Sequence, residues 1–332
     1  MLRRTPSVAS YTLAKGTGSG TLTLNSGSNS ASVTVSSGSH AISANIALAS
    51  NLNVSVANSG DQLTQSGVLS GSGKTLTKSG LGTLVLSAAN TFSGSTTVSA
   101  GTLNVASASA LATSSVTVSS GATLSLAPAV QAVVTGLSVA GKVNLDTGRV
   151  TIAAGGMTES DLRAAVIAGR NNGAWNGTSG IESSVAAAAS GTRAVGYKAN
   201  GSGSLTVAFS AQGDTNLDGF VNLTDLSSIL ASGKYNTGAT ANWAQGDFNY
   251  DGVANLTDLS QILSTGLYNQ GSYLSYTPAS NQAGGLNGDP SLAGGLGMNG
   301  GMVVVPEPST AVLVGIGMAL ACLGLRNRRR MA

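Results

Sequence analysis

Charge is scarce in this 332-residue chain. Asp, Glu, Lys and Arg make up 9% of it, against about 25% in an ordinary soluble domain. There is one cysteine, Cys322, and one histidine, His40, which excludes a disulfide framework, a zinc cluster and a nucleophile drawn from several Cys–His or Ser–His pairs. Aromatics are 4%. Charges and prolines are too few for an ordinary disordered tail. The 46 glycines follow no every-third period, so a collagen helix is excluded. What the chain does have is Ser, Thr, Ala and Gly, with Val, Leu and Ile in short runs. At this length one to three domains are expected.

The net charge of +3 misleads. Four of the sixteen basic residues, Arg326, Arg328, Arg329 and Arg330, lie in the last seven positions, and without them 12 basic residues face 13 acidic ones. A nucleic-acid binder needs a basic face with stacking aromatics, and the body has neither. The acids are uneven: Asp214, Asp218, Asp225, Asp247, Asp251 and Asp258 are six of the thirteen.

Short alternating segments recur from residue 20 to 126. Examples are Thr21-Leu22-Thr23-Leu24, Ser32-Val33-Thr34-Val35, Thr83-Leu84-Val85-Leu86, Thr102-Leu103-Asn104-Val105 and Thr123-Leu124-Ser125-Leu126. The last three are spaced 19 and 21 residues apart. Strands of four or five at a period near 20, with Gly, Ser or Asn between them, predict a solenoid whose rungs bury one apolar face only by stacking. A β-sandwich of short strands is the competing architecture. Residues 127–210 continue with strand-like segments at 142–145, 149–152 and 204–209. A helix is expected from Glu159 to about Ala168, with Thr158 as N-cap and Asp161 as an imperfect capping-box partner. This stretch is read as the end and cap of the solenoid. Trp175 either plugs its core or stacks on a sugar; the core is the expectation.

The aspartates fall in two loops offset by 33 residues, Asp214 to Asp225 and Asp247 to Asp258. Oxygen side chains stand at loop positions 1, 3, 5, 9 and 12, with Gly219 and Gly252 at position 6, which is the spacing of a calcium loop. The expected ligands are Asp214, Asn216, Asp218, the Phe220 carbonyl, Asn222 and Asp225 in the first loop. In the second they are Asp247, Asn249, Asp251, the Val253 carbonyl, Asn255 and Asp258, so two Ca²⁺ ions are expected. Each loop runs into the same helix start, Asp-Leu-Ser-x-Ile-Leu, with an apolar stripe at i, i+3 and i+4. A bland alternative is two Asx-rich turns that only cap helices.

Near the end, Val305-Pro306-Glu307-Pro308-Ser309-Thr310 precedes fifteen uncharged residues, Ala311 to Leu325, and then the arginine cluster. As a helix this run spans about 22 Å, short of a hydrocarbon core of about 30 Å. Its place before terminal arginines nonetheless predicts a membrane stop with the arginines on the cytoplasmic side. Cys322 within it is read as a small apolar residue. Met1-Leu2-Arg3-Arg4 has no apolar run of signal-peptide length behind it, so a truncated gene, a misplaced start or a lost leader is expected.

Three resemblances attach to these residues. Lys78 to Leu111 resembles the autotransporter-associated β-strand repeat, also called the passenger-associated transport repeat, which implies a right-handed parallel β-helix on a secreted surface protein. Gly213 to Asn269 resembles a type I dockerin module, which implies calcium ligation. At the positions where dockerins recognise cohesins this chain has Leu223, Thr224, Leu230 and Ala231, then Leu256, Thr257, Leu263 and Ser264. Only the threonines match, so the resemblance does not carry a cohesin partner. Pro306, Glu307 and Pro308 ahead of the apolar run resemble the PEP-CTERM sorting signal, which implies export, recognition by an exosortase and removal of the tail; a plain single-span anchor is the alternative.

The expected fold is mainly β. A right-handed parallel β-helix (1–126) with its cap (127–210) precedes a small all-α dockerin-like module of paired calcium loops (211–269). A Gly-rich tether (270–304) and a sorting tail with a transmembrane helix (305–332) follow. Catalysis needs paired carboxylates in one groove. Before residue 211 the acids are Asp61, Asp146, Glu159, Asp161 and Glu182; none pairs at rung spacing, and His40 sits in a turn-like context. The expected function is a non-enzymatic exported surface, matrix or adhesin-like protein, transiently held in the inner membrane, with a surface glycan or protein as partner. A polysaccharide-active β-helix enzyme or a cohesin-binding component is the alternative.

Overall fold

The computed structural model describes residues 9–274 apart from Ser19 and Thr113. The described residues form one compact unit. The expected tether does not begin at 270: Tyr273 is buried against the body, and the rest of the Gly-rich segment beyond Leu274, the Pro306-Glu307-Pro308 motif and the apolar run after it lie outside the described residues.

The body is a parallel β-solenoid. Its longest sheet stacks Thr12–Leu13, Ser39–Ile42, Gln62–Gln65, Thr83–Leu86, Thr102–Val105, Thr123–Leu126, Lys142–Asn144 and Gly180–Glu182, every neighbour parallel. Residues from Leu63 through Leu84, Leu103, Leu124 and Val143 to Ile181 are direct register partners. All six are buried. This inward column is what the period-two pattern requires: on each rung one residue in two points in, and its neighbours keep Thr, Ser or Asn at the surface. Each buried Leu contributes about 1.5–3 kcal/mol over an exposed one, and it does so only because the rungs above and below cover it. A six-stranded sheet from Ala31–Val35 to Gly136–Val139 and a three-stranded one from Thr21–Leu24 to Leu69–Ser70 form the other faces, also parallel. The parallel ladders exclude the sandwich.

Polar residues between strands tie rungs together. Asn90, buried, accepts from the Leu69 N–H at 2.8 Å and donates to the Ala110 carbonyl at 2.7 Å. Lys78 also points inward and is wholly buried. Its Nζ donates to the carbonyls of Ser79, Gly80 and Ala100 at 2.8, 2.9 and 3.1 Å. Burial lowers its pKa to about 8, so the ammonium stays charged at neutral pH and ties together the carbonyls of two turns. His40 is a strand residue and not a turn residue: it lies in Ser39–Ile42, where Nδ1 accepts from the Tyr11 N–H at 3.1 Å.

The far end of the solenoid is closed by a change of direction. Gln131–Val134 and Arg149–Ile152 pair in parallel, but Leu205–Ser210 and Ala194–Ala199 then add antiparallel. Among the described residues four α-helices accompany this closure. Helix α1 (Glu159–Arg170) starts where expected: the Thr158 hydroxyl accepts from the Asp161 N–H at 3.1 Å. The Asp161 carboxylate returns to the Thr158 hydroxyl at 2.6 Å rather than to its backbone, which is why the capping box is imperfect. Gly169 in α1 lets the helix lie directly on the strand below, since a Cβ there would stand 2.0 Å from the Ile181 carbonyl oxygen. Helix α2 (Ser184–Ala188) is short; α3 (Leu223–Ala231) and α4 (Leu256–Ser264) follow the two Asp-rich loops.

The expected boundary at residue 210 does not separate two cores. Val195, Tyr197 and Phe209 of the solenoid end are buried in one cluster with Leu217, Trp243, Phe248, Tyr250 and Tyr273. Trp243 is wholly buried and stacks edge-on against Phe248 at 4.9 Å. Gly196 faces its indole, where a Cβ would lie 2.5 Å from Nε1. Trp175 is buried and meets Tyr250 edge-on at 6.2 Å, so it is a core residue and presents no sugar platform. Among the described residues no helix is long and apolar enough to cross a membrane; the expected transmembrane run, 311–325, lies outside them.

Candidate metal-binding loops

Both loops are built alike. Asn222 and Asn255 are the N-caps of α3 and α4, each side chain accepting the N–H two residues on, Thr224 and Thr257, at 2.7 Å. Asp225 and Asp258 complete full capping boxes: one oxygen of each accepts the N–H of the cap residue, at 2.9 and 3.0 Å. The other oxygen reaches back to the start of its own loop. Asp225 Oδ1 accepts from the Thr215 N–H and hydroxyl, both at 3.0 Å; Asp258 Oδ1 accepts from the Phe248 and Asn249 N–H groups at 2.9 and 3.1 Å. Position 12 therefore closes each loop through hydrogen bonds to its backbone. The left-handed backbone at Gly219 (φ 91°) and Gly252 (φ 98°) makes the sharp turn between.

Positions 3 and 5 face one another at the rim. The Asn216 amide donates to Asp218 Oδ2 at 2.9 Å, and the Asn249 amide to Asp251 Oδ2 at 2.8 Å. The Phe220 and Val253 N–H groups donate to Oδ1 of Asp218 and Asp251, both at 2.9 Å. Asp218 and Asp251 are exposed, while Asp214, Asp225, Asp247 and Asp258 are buried.

The loops part company at position 1. Asp214 has both oxygens engaged: Oδ1 accepts from Leu217 N–H at 2.6 Å and Asp218 N–H at 3.2 Å, Oδ2 from Gly219 N–H at 2.9 Å and from the Tyr273 hydroxyl. Asp247 Oδ2 accepts from Gly252 N–H and from Arg163, each at 3.1 Å, whereas Oδ1 is buried without a hydrogen-bond partner. Burial drives Asp214 up to about pKa 6, with the nearby Asp225 and Asp218 charges adding to it. Burial raises Asp225, Asp247 and Asp258 too. For Asp247 the Arg163 guanidinium opposes that rise. Carboxylates made costly in this way are carboxylates that a cation would relieve.

Among the described residues no group of three or more carboxylates, imidazoles or thiolates is drawn together so as to hold a metal ion. The hydrogen bonds above give the reason: the position-12 carboxylates accept backbone N–H groups, and those at position 5 stand at the exposed rim. The structure thus brings the predicted side chains into two loops without gathering them around a point. As a donor set, hard oxygens with one buried carboxylate oxygen to spare, the second loop fits Ca²⁺; the first has no such spare oxygen on Asp214. The cations of the solenoid that reach these loops, Arg149, Arg163 and Lys198, carried no sequence signal, because they stand far from the loops in the chain.

Two stretches match known families. Residues 76–105 match the passenger-associated-transport-repeat, and residues 304–330 match the PEP-CTERM protein-sorting motif. No curated protein and no solved structure matches the chain. The repeat match coincides with rungs Leu76–Ser79 to Thr102–Val105 of the parallel stack. Together the two matches point to an exported cell-surface protein of the autotransporter-like kind, and the sorting motif implies recognition by exosortase machinery.

Proposed function

We propose that this is a non-catalytic exported surface protein, adhesin-like or part of an extracellular matrix, whose solenoid ends in a dockerin-like pair of calcium loops. The observation that carries the calcium reading is the buried, unpartnered Oδ1 of Asp247, inside a loop whose pattern occurs twice. An uncompensated buried carboxylate oxygen is costly, and a hard divalent ion is its natural partner. Asp247, Asn249, Asp251, the Val253 carbonyl, Asn255 and Asp258 would hold one ion. Asp214, Asn216, Asp218, the Phe220 carbonyl, Asn222 and Asp225 would hold the other, where the ion has first to displace N–H or hydroxyl donors from Asp214. Calcium would supply positive charge to three carboxylates per loop. The chain's own contribution is the backbone turn and the capping boxes that keep those carboxylates in place.

The non-catalytic reading is supported by where the other acids go. Asp61 accepts from Asn58 at 2.8 Å, Glu159 from Asn242 at 2.6 Å and Asp161 from Thr158 at 2.6 Å; Glu182 pairs with Lys142 at 3.2 Å. The sorting tail would hold the chain transiently in the inner membrane until the apolar run is removed, leaving a surface glycan or protein as its target.

Calorimetric titration of the chelator-treated chain with Ca²⁺ tests the metal. Two binding steps, with a higher unfolding temperature in calcium than in chelator, are expected. Identical unfolding curves with no heat of binding would overturn the calcium reading and leave the surface assignment on the repeat and the sorting motif.

A further inference from the structure

Each loop turns on a left-handed residue at its fourth position, Leu217 (φ 60°) and Tyr250 (φ 64°). Neither is glycine, so both turns carry backbone strain that the surrounding structure has to offset. The same carbonyl is held in each. Arg149 Nη2 donates to the Leu217 carbonyl at 3.3 Å and Arg163 Nη2 to the Tyr250 carbonyl at 2.9 Å. The two arginines are not copies of one another: Arg149 opens the strand Arg149–Ile152, and Arg163 lies in the first turns of α1. They stand 68 and 87 residues from the carbonyls they hold. Two unrelated elements of the solenoid end thus converge on one backbone atom of a repeated loop.

The surrounding contacts point the same way. Lys198 Nζ donates to the Asn216 carbonyl, position 3 of the first loop, at 2.6 Å. Arg163 Nη2 also reaches Asp247 Oδ2, the oxygen shared with the Gly252 N–H. Behind the turns, the Tyr250 hydroxyl donates to the Val195 carbonyl and the Trp243 indole N–H to the Asp214 carbonyl at 2.7 Å.

We propose that Arg149 and Arg163 are positioning residues for the two ion loops: the end of the solenoid acts as their outer shell, and each loop takes its ion with full affinity only while one arginine holds its fourth carbonyl. A guanidinium near a cation site repels the ion. Here it sits on a carbonyl and, at Asp247, on the carboxylate oxygen that already serves Gly252. Its charge therefore costs less than its fixing of the turn gains. Outer-shell partners of this sort are worth about 10–100-fold in metal affinity. The ion part of the proposal rests on the calcium reading; the grip on the turns does not.

The test uses the full chain with Arg149→Gln, Arg163→Gln and Arg163→Lys. In chelator, hydrogen exchange is followed by peptide. Arg163→Gln is expected to speed exchange in 247–258 and leave 214–225 unchanged, and Arg149→Gln to do the reverse. In calcium titrations each Gln variant is expected to weaken one of the two binding steps about tenfold. Arg163→Lys should restore part of the loss, because an ammonium can satisfy one of the two acceptors. Exchange unchanged in both loops, or loosened in both loops by either variant, overturns the proposal. A wild type that takes up no calcium while the selective exchange persists overturns the ion part and leaves the arginines as structural ties alone.

Discussion

The first and second loops carry the same residue types at positions 1, 3, 5, 6, 9 and 12, and their capping boxes are near copies, yet their opening aspartates differ. Asp214 is saturated by three N–H groups and the Tyr273 hydroxyl. Asp247 shares one oxygen between Gly252 and Arg163 and leaves the other bare. The repeat sets the backbone; what packs behind it sets the electrostatics. At the first loop the neighbour is a neutral hydroxyl from Tyr273, at the second a guanidinium from α1. Two loops that read as equivalent ion sites are thereby made inequivalent by residues outside the repeat.

The comparison can be broken most decisively at position 12, where the loops ought to be the same. Removing Asp225 or Asp258 strips acceptors from two or three backbone N–H groups at once. At about 1–3 kcal/mol for each buried donor left unpaired, Asp225→Ala and Asp258→Ala should each cost on the order of 3–5 kcal/mol in urea unfolding. Costs that differ more than twofold would show that the loops diverge at their ends as well as their starts.

A smaller effect separates the two at position 1. Asp214 has its folded pKa raised to about 6 from an ordinary 3.8. A carboxyl raised on folding favours the native state while protonated. Its contribution is full below about pH 3.8 and is lost as the pH rises through 6. In chelator, wild-type stability should therefore decline across this window, and Asp214→Asn should flatten that part of the decline. A profile that Asp214→Asn leaves untouched would place the titration elsewhere. The smallest expected change is at the caps: Asn222→Ala and Asn255→Ala should each cost about 1 kcal/mol, equally, as read from thermal unfolding. Unequal losses would mean that tertiary surroundings reach the caps too.

Much of this was legible in the sequence because it is local or periodic. Thr158 as a cap, α1 after it, and the strands at 83–86, 102–105 and 123–126 depend on near neighbours or on a period of about twenty. The inward Leu column follows from the same period. What stayed hidden is long-range. Lys78 in the core could not be foreseen, because the three carbonyls that satisfy it belong to a turn and to the next rung. His40 looked like a turn residue from its Ser and Gly neighbours, and rung pairing made it a strand. The boundary at 210 follows the start of the Asp-rich loops in the sequence, yet Gly196 and Trp243 interlock across it. The reversal at Leu205–Ser210 leaves no trace in a strand's own residues, since parallel and antiparallel partners ask for the same alternation.

That reversal gives the column a direction. The antiparallel strands Leu205–Ser210 and Ala194–Ala199 break the rung-on-rung repeat at the end beside the Asp-rich loops. Units of about twenty residues can instead be inserted within the stack, each covering its neighbours as the existing ones do. The height of such a stalk would then be an adjustable trait, lengthened or shortened by whole repeats, while the terminal fitting stayed constant.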